Sequence, residues 1–275
     1  MKQLRVRDAQ AKDFVEILEL TSAMRGQLAV WSPVYFRPRA GADAAHAQFL
    51  EFVIGSPDQQ ASVFVHEDTV VGFFRRANQP HHIWVDDLCL QDPKLWGGVA
   101  ELLAGDLGSG RWVTCASTHD TERLDALSSA GATPISSYWS KLLDESPPDT
   151  DASQVAGVPN IPKQRPDGPA HTFGGVAFDP SIPGALAVSD DRGNYAIGSP
   201  SVEPPIYDPG GPTCVVDQIG GPDRGIALNL AQSEANGRGD AQLVVVSASD
   251  DEELRRVLEA KSFQLQVVLL ARRGR

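Results

Sequence analysis

Asp86 and Asp87 stand side by side inside an otherwise apolar stretch, Ile83-Trp84-Val85-Asp86-Asp87-Leu88. Successive strand residues point to opposite faces, so the pair is expected to send one carboxylate to each side of a sheet. Carboxylates are costly to bury, which predicts that at least one of the two is exposed, hydrogen-bonded or functional. The chemistry on offer is that of a proton acceptor or of a counterion for a cation. Asp86 recurs further along the chain as Asp217, where the next residue is Gln218 rather than a second acid. The recurrence favours a structural role for Asp86 and leaves Asp87 as the better candidate base or amine-binding group. His81 and His82, just before this stretch, and His119 are further titratable groups, read either as bases or as solvated loop histidines.

The spacing of that recurrence is regular. Asp86 falls on Asp217 and Asp120 on Asp251, and 217 − 86 and 251 − 120 both equal 131. The first copy reads as a strand over 82–88, an Asp-Pro and Gly-Gly loop, a helix around Val99 to Leu103, a strand at Trp112 to Cys115 and a helix around Leu124 to Leu127. The second follows the same order: strand Thr213 to Ile219, loop Gly220 to Gly225, helix Ile226 to Ala235, strand Leu243 to Val246, helix Leu254 to Leu258. So long a period implies two related domains rather than a solenoid.

In front of the first copy, Leu4 and Val6 alternate with Arg5 and Arg7 as a strand edge, and Phe14, Ile17, Leu18 and Thr21 keep helical spacing. A second helix is expected with Ala45, Phe49, Phe52 and Val53 on one face. Ser62 to His66, the polar turn Glu67-Asp68, and Thr69 to Phe74 read as a hairpin. This alternation predicts an α+β fold: a mixed sheet covered by helices in three layers. The division expected is a first domain over 1–145, a proline-rich linker over 146–170 and a shorter second domain over 171–275. Phe173 to Gly198 is read as short strands, with no counterpart of the paired helices. A second proline- and glycine-rich stretch, Gly198 to Pro212, is expected to be a rigid arm over a cleft or a neighbouring domain.

With 275 residues, 41% of them hydrophobic, the chain can fill two ordinary cores. A formal charge of −12 works against general nucleic-acid binding, which needs a basic footprint. No run of 18 apolar residues occurs and no apolar stretch follows Met1, so the expectation is a cytoplasmic protein without membrane insertion. Cys89, Cys115 and Cys214 lie far apart in apolar runs, as reduced core thiols do, and no disulfide, zinc or other metal site is expected.

In element order the first domain resembles the GNAT superfamily of acyl-CoA-dependent N-acyltransferases. The likeness is sharpest at the hairpin Val63 to Phe73, at Val85-Asp86-Asp87-Leu88-Cys89-Leu90-Gln91-Asp92-Pro93, which is similar to the family's fourth strand and following loop, and at Asp120 to Gly131, which looks like its fourth helix. The second domain resembles the later half of the fold. The resemblance implies two tandem GNAT-like domains, acetyl-CoA as co-substrate and a small-molecule amine as acceptor. It also implies a ternary mechanism in which the amine attacks the thioester directly, a base takes its proton and an acid serves the leaving thiolate. For the coenzyme it points to Leu88, Cys89 and Leu90 on the strand, to Trp96, Gly97, Gly98, Val99 and Ala100 at the next helix start, and to Asp120. Amides at a glycine-rich helix start can hold a pyrophosphate, although a Gly-Gly turn that only begins a helix reads the same way.

The chain departs from the family pattern in several places. Leu95 stands where a polar or cationic residue usually leads the phosphate loop, Asp120 replaces an asparagine and serves equally well as a helix cap, and Leu127 replaces the tyrosine that acts as acid. Tyr138 is the nearest substitute acid in sequence, Cys89 or a water the others, although Tyr138 and Trp139 read equally as strand packing. In the second copy no glycine remains at the loop, so its expected use is structural, including a possible homodimer surface. Trp31, Arg37 and Arg39 are expected to line an acceptor or coenzyme mouth. Two functions stay open: an N-acetyltransferase with its site in the first domain, and a non-catalytic GNAT-like binding or scaffold protein with weak or no acyl-CoA binding.

Overall fold

The period of 131 residues governs the folded chain as it does the sequence. A computed structural model describes residues 4–56, 60–79, 82–107, 110–143, 182–201 and 206–272. The proposed linker and the stretch 173–181 lie outside the described residues. The chain divides into two compact units, the first made of Met1–Pro134, Pro204–Asp208 and Val268–Arg275, the second of Ile135–Glu203 and Pro209–Val267.

The first unit begins with β1 (Arg5–Asp8), α1 (Phe14–Trp31), α2 (Ala42–Gly55), β2 (Gln60–His66), β3 (Thr69–Asn78) and β4 (Ile83–Leu90). It continues with α3 (Trp96–Asp106), β5 (Trp112–Ser117) and α4 (Thr121–Ser129). Strands β1 to β4 are antiparallel neighbours in chain order and β5 pairs parallel with β4. The end of β11 (Gln264–Arg272), from Val268 on, follows β5. Between β2 and β3, Glu67 and Asp68 both take positive φ, 52° and 67°, the two-residue turn whose twist suits a hairpin.

Two apolar layers sandwich this sheet. Phe64, Phe74, Val85, Leu88, Trp96, Val99, Leu103 and Leu127 form one, with α3 and α4. Ile17, Leu20, Leu50, Val53, Val63, Phe73 and Cys89 form the other, with α1 and α2. The buried stripe of α2 is Ala42, His46, Leu50 and Val53, while Phe49 and Phe52 are exposed. The aromatic pair therefore does not mark the core face expected from the sequence. The inward stripe has the required spacing of three to four residues but carries a histidine, which hid it.

The second unit contains β6 (Thr133–Leu142) from Ile135 on, β7 (Leu186–Ser189), β8 (Tyr195–Pro200), β9 (Thr213–Gly220), α5 (Arg224–Gly237), β10 (Gln242–Ala248) and α6 (Glu252–Ala260). Its strand order runs from the start of β11 through β6, β10, β9 and β8 to β7. The α4 and α6 helices start and stop 131 residues apart, and their caps match: Asp120 accepts from the Arg123 amide and Asp251 from the Leu254 amide. Leu127 and Leu258 are both fully buried, so the position is a packing site in each copy. Among the described residues this unit has no counterpart of α1 and α2.

Asp217 on β9 shows what that difference means for a strand carboxylate. Burial alone pushes it up to about 6, with no cation drawing it back. A carboxyl whose folded pKa lies above its unfolded value of about 3.9 stabilises the fold while protonated, and that contribution is lost as pH rises through about 6. In paired thermal melts from pH 5 to pH 8, Asp217→Asn should gain on the wild type, mostly between pH 5 and pH 7. A constant difference across that range contradicts the assignment.

Candidate active site

A one-residue bulge in β4 sets the geometry of the first unit. Phe73 faces Cys89 whereas Arg75 faces Asp86, so two steps along β3 match three along β4. Asp87 lies at this irregularity with φ of 50°, left-handed backbone that a non-glycine residue adopts only when its surroundings impose it. The bulge overturns the expectation of opposite faces. Asp86 meets Arg75, whose guanidinium lies 5.3 Å from the ring centroid of Phe49 on α2, and Asp87 meets His46 on the same helix. Both carboxylates thus turn toward the α1 and α2 layer.

Their surroundings differ. Arg75 Nη2 donates to Asp86 Oδ2 at 2.5 Å. Burial, and then the charge of Asp87, push Asp86 above the ordinary carboxylate range, while Arg75 pulls the other way. Asp87 has 15% of its side chain exposed and places Oδ1 3.8 Å from His46 Nε2. Arg25 of α1 donates to His46 Nδ1 and to Asp43 Oδ1. The hydrogen bond from Arg25 holds the Asp43 carboxyl below its usual range. Arg25 and His46 are each 3% exposed.

A phenol joins this cluster from the proline-rich stretch. Ile206, Tyr207 and Asp208 run beside Arg37, Pro38 and Arg39: Arg39 N donates to Ile206 O, Asp208 N to Arg37 O, and Arg37 Nε to Asp208 O. Tyr207 forms a bridge with Pro38 and sets its ring 5.4 Å from Phe36. Burial raises its phenol well above the ordinary value; the Arg25 charge opposes this, and those of Asp87, Cys115 and Asp86 add to it. Of the arm read from the sequence, Ile206 to Asp208 belong to the first unit and dock on the segment predicted to line the mouth. Trp31 stacks on His119 with ring centroids 6.4 Å apart.

Beyond the bulge, β4 and β5 part company. Their register runs from Ile83 and Trp112 to Val85 and Thr114 and stops there, although both strands continue. Carbonyls along the gap then need donors. Arg123 of α4 supplies them: Nη1 bonds Leu88 O at 3.1 Å, and Nη2 bonds Cys115 O at 2.5 Å and Thr114 Oγ1 at 3.2 Å. Its guanidinium lies 5.3 Å from the Trp96 ring centroid, and the residue is 7% exposed. The gap is lined with acceptors, and a protein side chain holds them.

The residues expected to bind coenzyme are divided by this arrangement. Leu88, Trp96, Val99 and Ala100 are buried in the core, so of Leu88 only the carbonyl serves the gap, while Gly97 and Gly98 are exposed at the start of α3. No atom stands within 4 Å of a Cβ built at Gly97, which leaves the backbone there approachable. Leu90 packs against the core, and the Cys89 thiol, on the opposite face from Leu88, lies in the core beneath α1 and α2, where burial pushes it up to about 12. Asp92 caps the turn before α3 by accepting from Lys94 N, and Lys94 itself is exposed. Asp120 caps α4, with burial raising its carboxyl. Tyr138 is buried on β6 of the second unit, in register with Val246, whereas Asp86 and Asp87 belong to the first. Nearness in sequence alone offered it as the acid; its other reading, strand packing, is what the structure shows. His82 lies against Trp84, and His81 is outside the described residues.

The second unit repeats the parted strands without the polar fittings. The register of β9 with β10 stops at Val216 and Val245, the equivalents of Val85 and Thr114. Buried Leu254 stands where Arg123 stands in the first copy. Asp223, 131 residues beyond Asp92, accepts from the amides of Gly225 and Ile226, and Arg224 is tied to Asp251. The α5 terminus is thus satisfied by its own chain.

No protein-family model matches the chain, and no curated protein matches it. Among solved structures it is similar to a GCN5-related N-acetyltransferase from Sphaerobacter thermophilus, 14% identical, with a TM-score of 0.54 over 99% of this chain and 96% of that one. It is also similar to a Thermoplasma acidophilum protein provisionally described as an acetyltransferase, 9% identical, with a TM-score of 0.51 over 98% of this chain and 99% of that one. The likeness is one of fold and spans the whole chain: an α+β GNAT-like fold in tandem, the second unit without a described counterpart of α1 and α2.

The gap makes a measurable claim about Arg123. If a ligand arm with amide N–H groups enters this gap, it takes over the carbonyls of Leu88 and Cys115, and Arg123→Ala should then bind acetyl-CoA about tenfold more tightly in calorimetry, the equivalent of one charged hydrogen bond of ~1.5 kcal/mol. Unchanged or weaker binding means that the arm does not use this gap.

Proposed function

We propose that the first unit transfers an acyl group from an acyl-CoA, acetyl-CoA in the simplest case, to an amine. The observation that carries this reading is the convergence of Asp86, Asp87, His46 and Tyr207 where β4 leaves β5. Buried titratable groups cost stability, and their gathering at one point of a fold is the mark of a working site. The fold likeness to N-acetyltransferases agrees with it.

Such a donor brings a thioester carbonyl to be attacked. With Arg123 withdrawn, the Leu88 and Cys115 carbonyls suit the amides of its arm, and the open backbone at Gly97, near Lys94, suits its phosphates. The fit is weaker at the phosphate end, where Asp92 brings a carboxylate to the helix start. Within the chain, Asp87 receives the proton shed by the attacking amine at its carboxylate. Tyr207, the phenol near these carboxylates, gives a proton to the departing sulfur as negative charge develops on it. Asp86 is paired with Arg75, which leaves Asp87 as the group that meets an ammonium. Positioned acid–base pairs of this kind contribute roughly 10²- to 10⁴-fold in rate.

A second reading, a GNAT-like binding or scaffold protein without catalysis, is favoured by Arg123 in the gap and by the Asp92 cap. Two measurements separate them. Acetyl-CoA at a hundred times its dissociation constant should stabilise the protein by about 2.7 kcal/mol, a shift of several degrees, and thiol release should follow with some member of an amine panel. A melt unmoved by millimolar acetyl-CoA supports the scaffold. If thiol is released, Asp87→Asn should lower kcat at least about 100-fold and Tyr207→Phe about 10- to 100-fold, both leaving acetyl-CoA binding intact. Full activity in both variants contradicts the assigned roles.

A further inference from the structure

The first unit buries a guanidinium and an imidazole against one another between α1, α2 and β4, where leucines would serve stability as well or better. The second unit has no described counterpart of these helices, and its strand carboxylate, Asp217, has no cation acting on it. We infer that Arg25 and His46 are positioning residues for Asp87, with Arg25 fixing the imidazole tautomer and His46 orienting the carboxylate. The inference rests on the transferase reading.

The tautomer follows from donor and acceptor chemistry. A guanidinium has five N–H donors and no acceptor, so the nitrogen it meets, Nδ1 of His46, must offer its lone pair. The neutral ring then carries its hydrogen on Nε2, the atom that faces Asp87 Oδ1 at 3.8 Å. That separation is long for a direct hydrogen bond, as catalytic contacts commonly are before a substrate is present. The second prong of the Arg25 fork, on Asp43, fixes the guanidinium to the first turn of α2, three residues from His46 in sequence. A chain of fixed contacts thus runs from Asp43 through Arg25 and His46 to Asp87, and the strained backbone at Asp87 presents the carboxylate to its end. The ring is also faced by Phe49, stacked at 6.1 Å beneath Arg75, while Tyr207 lies within the influence of Arg25 and Asp87.

The test uses the full chain. Long-range proton–nitrogen NMR of protein labelled at histidine nitrogens, with the His46 signals identified by their loss in His46→Phe, should show the hydrogen on Nε2 at pH 7.5, and Arg25→Met should give a mixture of tautomers. A hydrogen on Nδ1 in the wild type overturns the inference. In thiol-release kinetics, His46→Phe should lower kcat about tenfold with KM for acetyl-CoA unchanged, and should displace the acidic limb of the pH–rate profile. His46→Gln, which keeps an N–H donor, should recover most of that loss, which also excludes misfolding as the cause. Wild-type kcat and pH profile in His46→Phe overturn the positioning role alone. A wild type that releases no thiol with any amine overturns the transferase reading and the positioning role together.

Discussion

The extra residue in β4 is the constraint on which the first unit depends. A regular strand would send Asp86 and Asp87 to opposite layers and keep β4 bonded to β5 along its length. The left-handed turn of the backbone at Asp87 does neither. It brings two carboxylates to one layer, where α1 and α2 present Arg25 and His46. It also coincides with the point where the β4 and β5 register ends, which leaves the carbonyls of Leu88 and Cys115 for Arg123. Strain of this sort persists only where neighbouring structure holds it, and it is found preferentially at sites of function.

The duplicated copy serves as an internal control. The second unit retains the parted strands, the α6 cap and the buried leucine of the last helix, all of which serve packing. It substitutes Leu254 for Arg123 and Gln218 for Asp87. A fold that needs only a filler between strands can use leucine, so the guanidinium of the first copy answers a different demand. Its hydrogen bonds to backbone carbonyls are exchangeable with those of another donor, whereas a leucine cannot be exchanged in this way.

How much of this was legible in the sequence depends on the range of the interactions. The repeat, the α4 and α6 caps and the hairpin at Glu67 and Asp68 follow from local spacing, and the sequence shows them plainly. The bulge depends on pairing between β3 and β4, so an isolated strand reads as alternating and Asp86 and Asp87 are assigned to opposite faces. Arg25 and His46 lie four residues beyond Thr21 and Ala42 on stripes that are otherwise buried; that was the available signal, outweighed by the bulk of Phe49 and Phe52. Tyr207 is separated from Asp87 by 120 positions (207 − 87), and no local pattern links them. Arg123 reads as an ordinary third residue after a helix cap.

The central claim is that the gap beside the bulge receives an acyl carrier once Arg123 moves aside. A crystal structure of the protein with acetyl-CoA measures this most directly. The account predicts the thioester arm between β4 and β5, bonded to Leu88 O, with the Arg123 guanidinium displaced and the acyl carbon beside Asp87 and Tyr207. Coenzyme bound elsewhere, with Arg123 still bridging Leu88 and Cys115, would contradict it.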